Sequence, residues 1–117
     1  MSTPLYKLKA DFFKTLGHPA RVRILELLAE GELSVGEMLA VVGVESSNLS
    51  QQLAVLRRAG VVVARKQGTA VIYSMASDDM AELMAIARKV LTGLLTDQAD
   101  LLKDLQASAP DDARTAR

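Results

Sequence analysis

Between Ser46 and Ser77 lie the side chains best suited to act on a partner. Ser46, Ser47, Asn48, Ser50, Gln51 and Gln52 form one short run, Arg57, Arg58, Arg65 and Lys66 follow, and the segment holds not one Asp or Glu. Hydroxyls and amides can pair with base edges while cations grip the flanking phosphates, so this composition suits a nucleic acid. The chain as a whole balances 14 basic against 14 acidic residues, for a formal net charge of zero. The positive segment therefore stands against a net negative remainder, and the signal is charge segregation rather than bulk basicity.

Catalysis finds no comparable support. The absence of cysteine removes disulfides, thiolate metal sites and cysteine nucleophiles together. The single histidine, His18, stands beside Pro19, and no Gly-x-Ser-x-Gly or phosphate-loop motif occurs. Asp78-Asp79 and Asp111-Asp112 read as a helix cap and a solvated tail rather than an acid-base pair. The expectation is a protein that is not an enzyme. His18 has two readings: a structural or phosphate-touching residue at a helix junction, or a weak candidate ligand for nickel or zinc, together with Asp11 or a carboxylate from a second subunit.

The elements that must position these residues are punctuated by Pro and Gly. With 117 residues, 50% hydrophobic and 3% aromatic, the chain predicts one domain with a small aliphatic core. Pro4 can sit in the first turn of a helix running through Leu5, Leu8, Phe12, Phe13 and Leu16 to Gly17, and Pro19 opens a second, with Gly31 placed to cap its end. Ser34 and Glu37 form a capping-box pattern for a short third helix that Gly43 ends. A fourth helix, about Ser46 to Arg58, turns Leu49, Leu53 and Leu56 inward. Two short helices around a Gly-containing turn, the second polar on its outer face, make a helix-turn-helix candidate. After Gly60 the β-branched runs VVVARK and AVIYSM, separated by Gln67-Gly68-Thr69, predict a hairpin that would be a wing.

A last helix is expected to begin near Asp79, capped by Ser77 or Asp78, and to continue past Leu102. Its apolar stripe is longer than a small domain needs. The economical reading is a dimer interface in which Leu5, Leu8 and Phe12 of the first helix and Leu83, Ala87, Val90, Leu91, Leu94 and Leu95 of the last meet their twofold mates. A purely intramolecular closing helix is the alternative. Residues 1–105 are thus expected to form one DNA-binding and dimerisation domain and 106–117 a disordered tail. No apolar run approaches the roughly 18 residues of a membrane span. The N-terminal MSTPLYKLKAD lacks the apolar core of a signal peptide, so a cytoplasmic location is expected.

The stretch FFKTLGHPARVRILELLAEGELSVGEMLAVVGVESSNLSQQLAVLRRAGVVVARKQGTAVIYSM resembles the winged helix-turn-helix of the ArsR/SmtB group of bacterial transcriptional regulators. Its specific pieces are Leu16-Gly17-His18-Pro19 with Arg21 and Arg23, the run LAVLRRAG, and the Gly-turn hairpin, in that order. The resemblance implies a mainly α fold with a small β-hairpin, ordered α-α-α-α-β-β-α. It also implies a homodimer that binds an imperfect palindrome in promoter DNA and represses until an effector binds. Carried over, the DNA-binding residues would be Ser46, Ser47, Asn48, Ser50, Gln51 and Gln52 of the recognition helix, Arg57 and Arg58 at its end, and Arg65, Lys66, Gln67 and Thr69 of the wing. Arg57 and Arg58 equally suit the negative end of the helix dipole. Gln51 and Gln52 stand where many relatives have Arg and His, so sequence preference should differ. Glu45 replaces the usual serine cap, and Ser46 is expected to cap instead.

Effector chemistry departs from the family pattern. Ser34 and Gly36 occupy the positions where thiolate sensors place a Cys pair, and residues 79 to 105 hold no histidine for the interhelical site. A protein partner or a small molecule remains open, with Met80, Met84 and Ile86 either suiting an apolar ligand or serving as ordinary core. The expected function is a dimeric repressor of a palindromic operator. The alternatives are a winged-helix protein-interaction module, or a partner- or metal-dependent co-regulator, with nickel or zinc, lacking autonomous repression.

Overall fold

A computed structural model of the chain describes residues 2–108. The elements run α1 (Leu5–Leu16), α2 (Pro19–Ala29), β1 (Leu33–Ser34), α3 (Val35–Val42), α4 (Ser46–Arg58), β2 (Val62–Gln67), β3 (Ala70–Met75) and α5 (Asp78–Ser108). One compact unit extends to Met84 and a second begins at Ala85, within α5. This is a winged helix-turn-helix, with one element that the sequence pattern did not suggest. Leu33 and Ser34 pair antiparallel with Tyr73 and Ile72, so the hairpin becomes a three-stranded sheet in the order β1-β3-β2.

The core explains why α4 lies where it does. Ile24, Leu25 and Leu28 from α2, Met38 from α3, Leu49, Leu53 and Leu56 from α4, Val61, Val62, Tyr73 and Met80 are buried together with Leu16. α2 is the central helix, in contact with α3, α4 and β3. Each fully buried Leu of α4 contributes on the order of 1.5–3 kcal/mol relative to exposure. Rotating α4 about its axis would forfeit three of them, so its outward face is set by its inward one.

Helix ends follow local chemistry. Ser34 Oγ accepts from the Glu37 N–H while Glu37 Oε1 accepts from the Ser34 N–H, completing the expected capping box. At the end of α4 the Gly60 N–H donates to the Arg57 carbonyl and the Val61 N–H to the Leu56 carbonyl, a Schellman motif that Gly60 permits through its φ of 79°. Buried Val61 and Leu56 supply the motif's hydrophobic contact, and the chain passes directly into β2. The hairpin turn is tighter than expected. Gln67 pairs with Ala70, leaving Gly68, at φ 65°, and Thr69 as the only central residues.

Four boundaries differ from expectation. Pro4 is the N-cap of α1 rather than a residue of its first turn, and Glu30, not Gly31, takes the C-cap of α2. Glu45 holds the N-cap position of α4 without a side-chain bond, so Ser46 is the first helical residue and does not cap. α5 begins at Asp78 and runs to Ser108, so Gln106, Ala107 and Ser108 of the expected tail are helical. The remainder of that tail lies outside the described residues.

Candidate nucleic-acid interface

On α4 the polar residues separate by angle. Ser46, Ser47, Ser50 and Gln51 are exposed, Asn48 is half-buried, and Gln52 is buried at 8% exposure. Gln52 therefore cannot be the free base-reading amide that its type suggested. Its Oε1 accepts from Arg21 Nε at 2.8 Å and its Nε2 donates to Asn48 Oδ1 at 2.9 Å. Arg21 also donates through Nη1 to the Thr15 carbonyl at 2.8 Å. One guanidinium thus ties the end of α1 and the start of α2 to the inner edge of α4. Beside this bridge, Arg21, Gln51, Gln52, Ala54, Val55 and Arg58 line a shallow depression of about 340 Å³.

The cations frame this face. Arg57 and Arg58 are exposed in the last turn of α4, where they also complement the carbonyl end of the helix. Arg65, Lys66, Gln67 and Thr69 are exposed on the hairpin. Arg65 is not free, however. Its Nη1 bonds Glu32 Oε2 and its Nη2 bonds Glu32 Oε1 at 2.8 Å, with Gln67 Oε1 at 3.1 Å from Nη2. The hydrogen bond to Arg65 is the main reason that Glu32 titrates below the usual carboxylate range, and the same bond raises Arg65. Folding brings to the wing an acid that its own segment lacks.

His18 is the N-cap of α2, its Nδ1 accepting from the Ala20 N–H at 3.2 Å. That agrees with the junction role, and the cap uses the nitrogen lone pair that a metal would need. Among the described residues no group of three or more His, Cys, Asp or Glu could hold a metal ion. The thiolate-site positions do not fit a soft metal, since Ser34 Oγ is committed to the capping box and Gly36 has no side chain. Met80 is buried and Met84 is partly buried against the core, whereas Ile86 is 48% exposed.

Among the described residues, exposed apolar side chains occur in both units. In the first unit Leu5 is 65% and Leu8 52% exposed, whereas Phe12 and Leu83 pack against the core. In the second unit Val90, Leu91, Leu94 and Leu95 are each more than half exposed, and Ala87 is exposed. No helix among the described residues is long and apolar enough to cross a membrane.

A helix-turn-helix with a polar outer face, framed by cations and followed by a hairpin wing, defines a winged helix-turn-helix DNA-binding regulator. Residues 18–63 match the arsR family of bacterial regulatory proteins, and the chain belongs to that family. It is 67% identical over 107 residues, 91% of this chain and 94% of the relative, to Rv0081 of Mycobacterium tuberculosis strain ATCC 25618 / H37Rv, an uncharacterized HTH-type transcriptional regulator. The crystal structure of M. tuberculosis Rv0081 superposes with a TM-score of 0.79 over 84% of this chain and 99% of that one, at 69% identity. The homodimeric winged helix-turn-helix DNA-binding domain of Mb0332 from Mycobacterium bovis is similar at a TM-score of 0.71 and 34% identity, over 78% of this chain and 84% of that one. The biofilm growth-associated repressor of Agrobacterium fabrum strain C58 is 45% identical over 75 residues, 64% of each chain.

Arg21 and Glu32 bond residues of the candidate site, Gln52 and Arg65, without a signal in the sequence that pairs them. Arg21 belongs to the Leu16-to-Arg23 motif, but nothing in its spacing pairs it with a residue 31 positions away. Glu32 lies outside the acid-free segment and meets Arg65 only through the β1-β3-β2 sheet.

Proposed function

We propose that the chain is a dimeric transcriptional repressor that binds a two-fold-related operator, acts in the cytoplasm and catalyses no reaction. The observation that carries this is the outward face of α4, where Ser47, Asn48 and Gln51 reach solvent while Leu49, Leu53 and Leu56 anchor the helix from behind. α4 enters the major groove, Arg57 and Arg58 meet phosphates at its end, and Lys66 and Thr69 of the wing reach the flanking backbone. Gln51 is exposed, makes no side-chain hydrogen bond among the described residues, and is suited to bidentate pairing with adenine.

Dimerisation supplies the second half-site. The exposed apolar residues Ala87, Val90, Leu91, Leu94 and Leu95 recur at helical spacing on α5, and burying them against a second copy removes a patch that water disfavours. In the first unit, the exposed Leu5 and Leu8 are further apolar side chains that a second copy can cover. Titration of a duplex from the gene's own upstream region tests the reading. Gln51→Ala should lower discrimination between that duplex and a random one, and unchanged discrimination would put the recognition surface elsewhere.

A further inference from the structure

Granted the proposed reading of α4 as the recognition helix, we infer that Arg21 sets the polarity of a chain of side-chain amides, so that Asn48 meets DNA as a hydrogen-bond donor and thereby favours a base that presents a carbonyl oxygen over one that presents an amino group. A guanidinium has donors and no acceptor. Because Arg21 Nε donates to the amide of Gln52 at 2.8 Å, the Gln52 atom facing it must be oxygen. The opposite end of that amide is then nitrogen, which donates at 2.9 Å to Asn48, so the Asn48 atom facing inward must be oxygen as well. The orientation of both amides follows from one residue on another helix. Gln52 is buried, and no buried side-chain nitrogen or oxygen among the described residues lacks a partner. Asn48 Nδ2, which donates to nothing among the described residues, therefore faces solvent, while Oδ1 is drawn down toward Gln52.

The consequence is a specific reading of the major groove. An outward NH2 aimed at the purine 6 or pyrimidine 4 position pairs with guanine O6 or thymine O4 and is refused by the amino groups that adenine and cytosine present there, whereas one aimed at N7 would accept either purine. Arg21 and Gln52 touch no base and act as positioning residues. Gln52→Glu makes the device testable. A carboxylate still accepts from Arg21 but cannot donate to Asn48, so the Asn48 amide turns its nitrogen inward and presents Oδ1. The contacted base should then change from guanine to adenine, or from thymine to cytosine, where an amino group replaces the carbonyl oxygen.

The experiment is selection from a randomised duplex library with the full chain. Asn48→Ala identifies the base pair that depends on Asn48, and the same pair is then read in Gln52→Glu and Arg21→Met. The expected result is a transition at that pair in Gln52→Glu, with a preference of about five-fold or more for the new base, and the rest of the consensus kept. Arg21→Met, which leaves the amides free to turn either way, should flatten the preference there alone, and it carries the test if Gln52→Glu does not fold. An unchanged pair in both variants, or an Asn48→Ala consensus equal to wild type, overturns the inference while leaving DNA recognition standing. Failure of the wild type to select any duplex overturns the DNA reading and this inference with it.

Discussion

Replacing Glu32 by Gln should strengthen DNA binding, although Glu32 lies outside the recognition helix and the wing. In the folded chain the Arg65 and Glu32 side chains are each about half exposed, at 50% and 51%, and their charges cancel, so that among the described residues Lys66 is the cation of the wing without an ion-pair partner. The glutamine amide would keep the shape and the acceptor oxygen but not the charge, so Arg65 would become available to a phosphate. Each newly neutralised phosphate adds about 0.9 to the slope of log K against log salt, or about 1.8 for the two wings of a dimer. A fourfold drop in salt should then favour the variant by about twelve-fold more than wild type. Fluorescence anisotropy of one duplex at several salt concentrations measures this. The double variant Glu32→Gln with Arg65→Ala should return the slope close to wild type. Equal slopes for Glu32→Gln and wild type would refute the reasoning, because Glu32 would then already surrender Arg65 when DNA arrives.

Other perturbations address dimerisation and the α3 cap. Leu94→Glu, in the exposed apolar stripe of α5, should yield monomers by light scattering and abolish binding to two half-sites, and a persistent dimer would remove α5 from the interface. Ser34→Ala should cost about 1 kcal/mol of stability, read by denaturant unfolding, through loss of the α3 cap. Glu37 is held below its ordinary carboxylate value, first by the Ser34 backbone N–H and then by the Ser34 hydroxyl. Its contribution is therefore complete above its unfolded pKa and lost as pH falls through the lower folded value. Glu37→Gln should accordingly weaken the acid dependence of unfolding, and an unchanged acid limb would contradict the capping-box assignment.

What was legible in the sequence is what local chemistry dictates. Ser34 and Glu37 three residues apart announced the α3 cap, the Leu49, Leu53 and Leu56 spacing announced α4, and β-branched runs around Gly68 announced the hairpin. Residue type alone misplaces Gln52, whose angle on the helix rather than its polarity sets its burial. At about 100° per residue it lies about 60° from Leu49, on the margin of the buried stripe, whereas Gln51 lies on the opposite side. The non-local pairings had no such signature. Arg21 meets Gln52 and Arg65 meets Glu32 across separations of 31 and 33 residues, and β1 is two residues long, too short for periodicity to mark it.

Hydroxyl-radical footprinting of the protein on a selected duplex tests the central claim most directly. A dimer presenting two α4 helices should protect two patches centred one helical turn apart or a multiple of it, about 34–36 Å per turn, with dyad symmetry and two chains bound per duplex. A single protected patch, or protection that does not distinguish the selected duplex from a random one, would contradict it.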